Sequence, residues 1–299
     1  MGTPEFAVAS LKALVDAGAR IAGVVTAPDK PAGRGMQLQS SAVKKYAEEQ
    51  GLTVLQPVKL KDPGFVTALA ALQADLQVVV AFRMLPEIVW SMPPLGTINV
   101  HASLLPQYRG AAPVNWAVIN GERETGVTTF RLKHEIDTGN ILLQEKVAIG
   151  PDDNAGTIHD RLMETGAALL VRTVKGLAEG TLEEIPQDQI PAGNLKHAPK
   201  IFKEDMEIRW DRSAGSVQNH IRGLAPYPAA FTMLAGKQVK LYKTHIEPAG
   251  SLPTPGSYDT DGKTYLRFAA TDGWIYVDEL QQEGKKRMDI AAFLRGFRA

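Results

Sequence analysis

The chain has 299 residues, 44% of them hydrophobic, which exceeds one average domain and supplies enough apolar material for a packed core, so two domains are expected. It contains no cysteine, which removes disulfide frameworks, thiol nucleophiles and thiolate metal sites together, and its six histidines lack the His-x-x-x-His spacing of a helical metal site. With 33 basic and 33 acidic residues the formal charge is zero, so overall charge signals no nucleic-acid partner, and no apolar run approaches the roughly 18 to 20 residues of a membrane span. The first residues do not read as an export signal, and a cytoplasmic location is the expectation.

An apolar-periodic helix is predicted over residues 7–17, leading through Gly18 into a short β-branched run at 21–26. Residues 28–41 are rich in Pro and Gly and read as a loop. Helix signals come next at 42–50 and 63–74, with a strand at 53–55 between them. Residues 76–81 are apolar almost throughout, as a strand buried on both faces should be. A helical stretch near 86–91 precedes the strand 97–101, on which Asn99 and His101 project to the same side. A helix at 113–120, strands at 126–132 and 141–148, and a long amphipathic helix at 153–179 complete the first part. This alternation of helices and strands predicts a parallel sheet with covering helices.

From about residue 182 to 199 the sequence turns polar and carries Pro186, Pro191 and Pro199, as linkers commonly do. Beyond it a helix at 213–223 precedes short alternating runs at 231–234, 238–245, 264–269 and 274–280, separated by Gly, Pro and Asp turns. The predicted architecture is an α/β, Rossmann-like doubly wound domain over 1–183, a linker over 184–199, and a small OB-like β-barrel domain over 200–299. Gly33-Arg34-Gly35 lacks the third glycine of a dinucleotide fingerprint, and no Gly-Lys-Ser phosphate loop is present.

Chemistry concentrates in the run from Asn99 through His101, Ser103, Leu104, Leu105 and Pro106 to Gly110, followed 38 positions after Asn99 by Asp137-Thr138-Gly139. An isolated Asn-x-His or Asp-Thr-Gly would say little, since the latter is usually just a turn. The composite, in order, resembles the folate-dependent formyltransferase family, whose signature is Asn-x-His-x-Ser-Leu-Leu-Pro-x-x-x-Gly with a later Asp-x-Gly. The resemblance implies formyl transfer from 10-formyltetrahydrofolate to an amine, with no metal. Such a transfer gathers negative charge on the formyl oxygen while the attacking nitrogen loses a proton. By this resemblance Asn99 donates a hydrogen bond to the developing oxyanion. His101 donates another or carries a proton, and Asp137 holds His101 charged and accepts the amine proton. Ser103, Leu104, Leu105 and Pro106 would line the folate from a loop at a strand's carboxyl end. The resemblance also places the pterin against Phe82, Arg83, Met84 and Leu85, mostly through main-chain groups; for Met84 and Leu85 core packing is the competing reading.

The acceptor is chosen by other segments. Purine transformylases resemble only about the first 200 residues, whereas sugar-nucleotide N-formyltransferases share a similar second domain and remain the alternative, with Tyr108-Arg109-Gly110 and Asn115-Trp116 in their favour. Residues 2–7, 28–35 and 198–205 instead resemble the methionyl-tRNA formyltransferases. That branch implies methionyl initiator tRNA as partner, a monomer, a C-terminal domain that binds tRNA, and Lys30 and Arg34 as contacts to the acceptor end, where phosphates dominate affinity. A catalytically inactive RNA-binding protein is the non-enzyme alternative, disfavoured by the intact Asn99, His101 and Asp137.

Three departures from the family pattern stand out. Its members carry a short apolar strand before Met-Gly-Thr-Pro, here at residues 1–4, so a natural start upstream of Met1 is expected. Met36-Gln37 replace a frequent Lys-Lys, and Asn140 stands where Asp usually comes after the Asp-Thr-Gly, for which retained activity and a shifted pH profile are expected.

Overall fold

The computed structural model describes residues 1–32, 37–191 and 193–297. They form two compact units: Met1–Arg109, Gly126–Val147 and Asp160–Lys196 make the first, and Gly110–Thr125, Ala148–His159 and His197–Ala299 the second.

In chain order, helix α1 (Glu5–Asp16) buries Phe6, Ala7, Ser10 and Leu14 as a single stripe. Strand β1 (Val24–Val25) is followed by β2 (Lys30–Ala32) and β3 (Gln37–Gln39), which pair antiparallel. Helix α2 (Ala42–Glu49) starts where Ser41 accepts the Lys44 main-chain N–H. After β4 (Val54–Leu55), α3 (Pro63–Ala71) opens on a proline with Asp62 as its cap. Then come β5 (Gln77–Val80), α4 (Glu87–Trp90), β6 (Thr97–His101), β7 (Arg109–Gly110), α5 (Pro113–Ile119), β8 (Glu124–Arg131), β9 (Ile141–Ala148) and α6 (Ala155–Glu179). The remainder holds β10 (His197–Ala198), α7 (Ala214–Leu224), β11 (Ala230–Leu234), β12 (Lys237–Pro248), β13 (Tyr258–Thr260), β14 (Leu266–Ala269), β15 (Gly273–Gln282), β16 (Met288–Asp289) and α8 (Ile290–Leu294).

The sheet of the first unit runs β5, β6, β8, β9. β5 and β6 are parallel, with Val79 beside Asn99. β8 runs antiparallel to β6, placing Phe130 opposite Asn99 and Thr128 opposite His101. The sheet is therefore mixed, where the alternation of elements had suggested parallel strands throughout; periodicity reports burial of a strand's faces, not its direction. Beyond β5, Val80 N–H donates to Met1 O and Gly2 N–H donates to Val25 O, so Met1 and Gly2 run between β5 and β1, and β4 pairs parallel with β1. This is the inner position that the sequence pattern assigns to a first strand. Val25, Leu60, Phe65, Leu69, Val79, Leu85 and Val89 pack into one core cluster under this end of the sheet.

Two stretches expected to be irregular have structure. Residues 28–41 contain the β2–β3 hairpin, whose base is fixed by Asp29 accepting from Lys44 Nζ (2.6 Å) and Gln56 Nε2 (2.8 Å). The Pro and Gly content masked it; Pro31 pairs across from Leu38 without needing a main-chain donor of its own. Residues 184–196, expected within the linker, belong to the first unit: Ile185 exchanges both main-chain hydrogen bonds with Ile141, and Gln187–Gln189 form a 3-10 turn that buries Gln187. A polar, proline-bearing composition suits a strap whose main chain finds specific partners as well as it suits a solvated connection.

The second unit contains an antiparallel sheet ordered β11, β12, β15, β14, β13, with β16 on β15. Strands β13 and β16 had no alternating run long enough to announce them. One apolar side of α7, with Ala214, Val217, Ile221 and Leu224, joins Leu241, Phe268, Ile275 and Leu280 in a common core, and Trp210 stacks on Phe268 at 4.7 Å. Helix α5 lies so close to α7 that a Cβ on Gly223 would stand 2.8 Å from the Ile119 main-chain nitrogen. Among the described residues no helix is long and apolar enough to cross a membrane.

Because that obstruction is backbone, Gly223→Ala should force the helices apart and destabilise the protein by about 1–3 kcal/mol, read as a lowered urea midpoint with an unchanged m-value.

Candidate active site

The polar end of β6 is where the sequence placed it. Asn99 is half-buried and His101 buried, both on the same side of the strand. The Asn99 side-chain amide makes no hydrogen bond to any described residue. His101 is held by an edge contact to Phe130 (6.4 Å between ring centres, 86° between planes) and by one hydrogen bond, from Nε2 to the Tyr108 carbonyl at 2.9 Å. A carbonyl only accepts, so Nε2 carries the proton and Nδ1 is the nitrogen left to work. Tyr108 presents that carbonyl from a left-handed backbone (φ 59°), pinned by its own N–H donating to Lys196 O at 2.7 Å.

His101 Nδ1 lies 3.9 Å from Asp137 Oδ2, with only 8% and 11% of the two side chains exposed. The separation exceeds hydrogen-bond reach, and an ion pair between the two forms only when His101 is protonated. Asp137 sits in the connection between β8 and β9 at φ 55°, a conformation Asp tolerates better than most residues. Gly139 has no alternative: a Cβ there would collide with the Arg131 carbonyl. The turn's main chain is also held by a residue that the sequence pattern did not single out. Buried Gln187 donates from Nε2 to Asp137 O (2.9 Å) and Gly139 O (2.8 Å). Its only sequence signal was a glutamine between prolines in a stretch that looked like a linker.

The 103–106 loop is built from within. Thr128 Oγ1 donates to Ser103 O (2.6 Å) and accepts from Leu105 N (3.1 Å) and Gln144 Nε2 (2.9 Å), while Gln144 also donates to Leu105 O (2.8 Å). Ser103 Oγ donates to Gln107 O, and Leu105 packs into a small cluster with Phe130 and Ile141. Leu104 covers Gly126, and Pro106 is buried behind a cis peptide. The side chains of Ser103 and Leu105 are thus spent on the fold.

The 82–85 stretch divides likewise. Leu85 points into the core, as the competing packing reading has it, whereas Met84 is 71% exposed. Phe82 packs at the edge of that core, and Arg83 lies over its ring while donating to the carbonyls of Pro57 and Val58. Lys30 is exposed on β2; Arg34 lies outside the described residues. Among the described residues no group of three or more His, Asp or Glu could hold a metal ion.

Asn140, the departure beside the turn, accepts from Lys133 Nζ (2.8 Å) and donates to Glu184 Oε2 (3.0 Å). Glu184 also accepts from Arg131 (2.8 Å). Burial pushes the Glu184 carboxyl up, but the Arg131 and Asn140 hydrogen bonds and the Arg131 and Lys133 charges together hold it below the usual glutamate range.

Comparison with known proteins agrees with this geometry. Residues 1–174 match the formyl transferase family and residues 200–298 the formyl transferase C-terminal domain. The chain belongs to the formyl transferase family. Among curated members, the methionyl-tRNA formyltransferase of Bacteroides fragilis is 53% identical over 303 residues, covering 99% of this chain and 94% of that one. That of Parabacteroides distasonis is 54% identical over 306 residues, covering 100% and 94%. The fold is similar to that of a sugar 3N-formyl transferase crystallised with dTDP and 5-N-formyl-THF (TM-score 0.67, 19% identity, 95% of this chain and 97% of that one). An N-formyltransferase from Helicobacter canadensis, in complex with folinic acid and dTDP-3-aminofucose, is alike to a similar degree (TM-score 0.66, 18% identity, 96% and 97%). Both solved relatives share the formyl transferase architecture of an α/β unit and an antiparallel one.

Two measurements probe the site's frame. Thr128→Val leaves Leu105 N–H and Ser103 C=O without their partner, so the variant should lose about 1–3 kcal/mol of stability by urea unfolding. A carboxylate held low stabilises the fold above its unfolded pKa and loses that contribution as pH falls through the folded one. Glu184→Gln should therefore differ most from the parent at neutral pH, the two unfolding curves converging on acidification below the ordinary glutamate range.

Proposed function

We propose that this chain transfers the formyl group of 10-formyltetrahydrofolate to the amino group of methionyl initiator tRNA, giving N-formylmethionyl-tRNA for the start of translation, and that it does so as a monomer in the cytoplasm. The observation that carries the acceptor is identity above 50% along essentially the whole chain with methionyl-tRNA formyltransferases, against 18–19% with the sugar formyltransferases of similar fold.

The reaction makes a bond from the methionyl nitrogen to the formyl carbon and breaks the bond from that carbon to N10 of the folate. Negative charge gathers on the formyl oxygen between those events, and one proton must leave the attacking nitrogen and one reach N10. Asn99 suits the oxyanion because its amide donors are not committed to any described residue. His101, with Nε2–H committed to Tyr108, presents Nδ1; protonated, it donates to the same oxygen, and Asp137 stabilises that charged form from 3.9 Å. Asp137 takes the amine proton directly or through a water in the gap between the two side chains.

For the folate, the main chain of 82–85 and 103–106 is the useful part, since Ser103, Leu105 and Leu85 turn their side chains inward and Leu104 lies over Gly126, while Met84 stays exposed. Exposed Lys30, next to the Asp29 anchor of its hairpin, suits a contact to tRNA phosphate, and by family resemblance Arg34 shares the acceptor-end contact.

Purified protein given 10-formyltetrahydrofolate should formylate methionyl initiator tRNA and should not formylate amino-sugar nucleotides. His101→Ala should lower kcat by about 10²–10⁴-fold, and Asn99→Ala by about 10²–10³-fold. Transfer to a sugar nucleotide alone would keep the chemistry and replace the acceptor.

A further inference from the structure

Gln187 is a neutral amide, 5% exposed, in a segment otherwise open to solvent. Every hydrogen-bonding position of that amide is occupied. Nε2 gives one hydrogen to Asp137 O (2.9 Å) and the other to Gly139 O (2.8 Å), while Oε1 accepts from Arg109 Nε (3.0 Å) and Nη2 (2.6 Å). The orientation of the amide is fixed by chemistry, because carbonyls only accept and a guanidinium only donates. One side chain therefore joins two pieces of chain that lie far apart in sequence.

What those pieces carry gives the amide its significance. Arg109 directly succeeds Tyr108, whose carbonyl takes the Nε2–H of His101 and so sets the ring's tautomer and direction. Asp137 and Gly139 frame the turn whose carboxylate faces His101 Nδ1. The turn's geometry is demanding: Asp137 holds a left-handed backbone and Gly139 leaves no room for a side chain. Without an outside donor, its two carbonyls would pull toward water and carry the carboxylate with them.

We propose that Gln187 is a positioning residue for formyl transfer: by bridging Arg109 to the Asp137–Gly139 main chain it sets the separation between His101 and Asp137. This rests on the catalytic roles proposed above. It touches neither substrate, so its loss should appear in the chemical step and not in binding.

The test compares Gln187→Met, which keeps the length and removes all four hydrogen bonds, with Gln187→Glu, which keeps an acceptor for Arg109 and removes both donors. Each is made alone and combined with Asp137→Asn. In the parent background both variants should lower kcat by about 10- to 100-fold, the scale of a small misplacement of reacting groups, with KM for folate and tRNA within about threefold of the parent. In the Asp137→Asn background the same changes should cost less than about threefold, because the group they position has gone. Equal losses in the two backgrounds, a loss confined to KM, or a Gln187→Glu enzyme with parental kcat would each overturn the proposal. The His101–Asp137 separation, read from crystal structures of the parent and the two variants, gives a readout that needs no turnover. Gln187→Met and Gln187→Glu should each displace the Asp137 carboxylate from its place 3.9 Å from His101 Nδ1, and an unchanged separation in whichever of them folds would overturn the proposal. If the parent protein formylates nothing, the functional reading fails, while that separation still decides whether Gln187 governs the pair.

Discussion

A histidine buried at the end of a sheet strand must dispose of two nitrogens in surroundings that tolerate no idle polar atom. Here one nitrogen is spent on the Tyr108 carbonyl, and the rest of the site is arranged around that single hydrogen bond. It fixes the tautomer, turns Nδ1 toward Asp137, and requires that residue 108 hold an uncommon backbone conformation so that its carbonyl points back at β6. The surrounding structure supplies the support that conformation needs: the N–H of Tyr108 is taken by Lys196, and the residue after it is taken by Gln187. The main chain around His101 and Asp137 is thus held by residues that touch neither side chain.

The same economy runs through the 103–106 loop. Thr128 on β8 serves as donor and acceptor at once, and with Gln144 on β9 it satisfies the main chain of Ser103 and Leu105 from beneath. The loop after β6 is in this way defined by the strand next to it.

Much of this was legible in the sequence, because it was written in local signals. The apolar run at β5, the alternation around Asn99 and His101, and the ordered motif through Asp137 identified the strands and the family. The features that escaped depend on partners distant in the chain. The hairpin of β2 and β3 was hidden by Pro31 and its glycine-rich neighbours; the antiparallel direction of β8 leaves no mark on burial periodicity. Gln187 looked like any polar linker residue, since nothing in its neighbourhood tells that Arg109 and Asp137 converge on it. Leu85 and Leu105 carried family resemblance to a ligand site and yet turn inward, because an apolar side chain beside a sheet is drawn to the core whatever its main chain does.

The division into units carries a consequence for how the protein is made. Helix α5 belongs with α7, against which it packs, but it leaves the ribosome about a hundred residues earlier, with the whole of β8, β9 and α6 between them. During synthesis its apolar side must wait, exposed or transiently covered, until the later segment arrives, and the loop so closed is a long one. The two segments matched by the family models therefore do not coincide with the two units: the second unit is completed only by pieces of chain that lie within the first match.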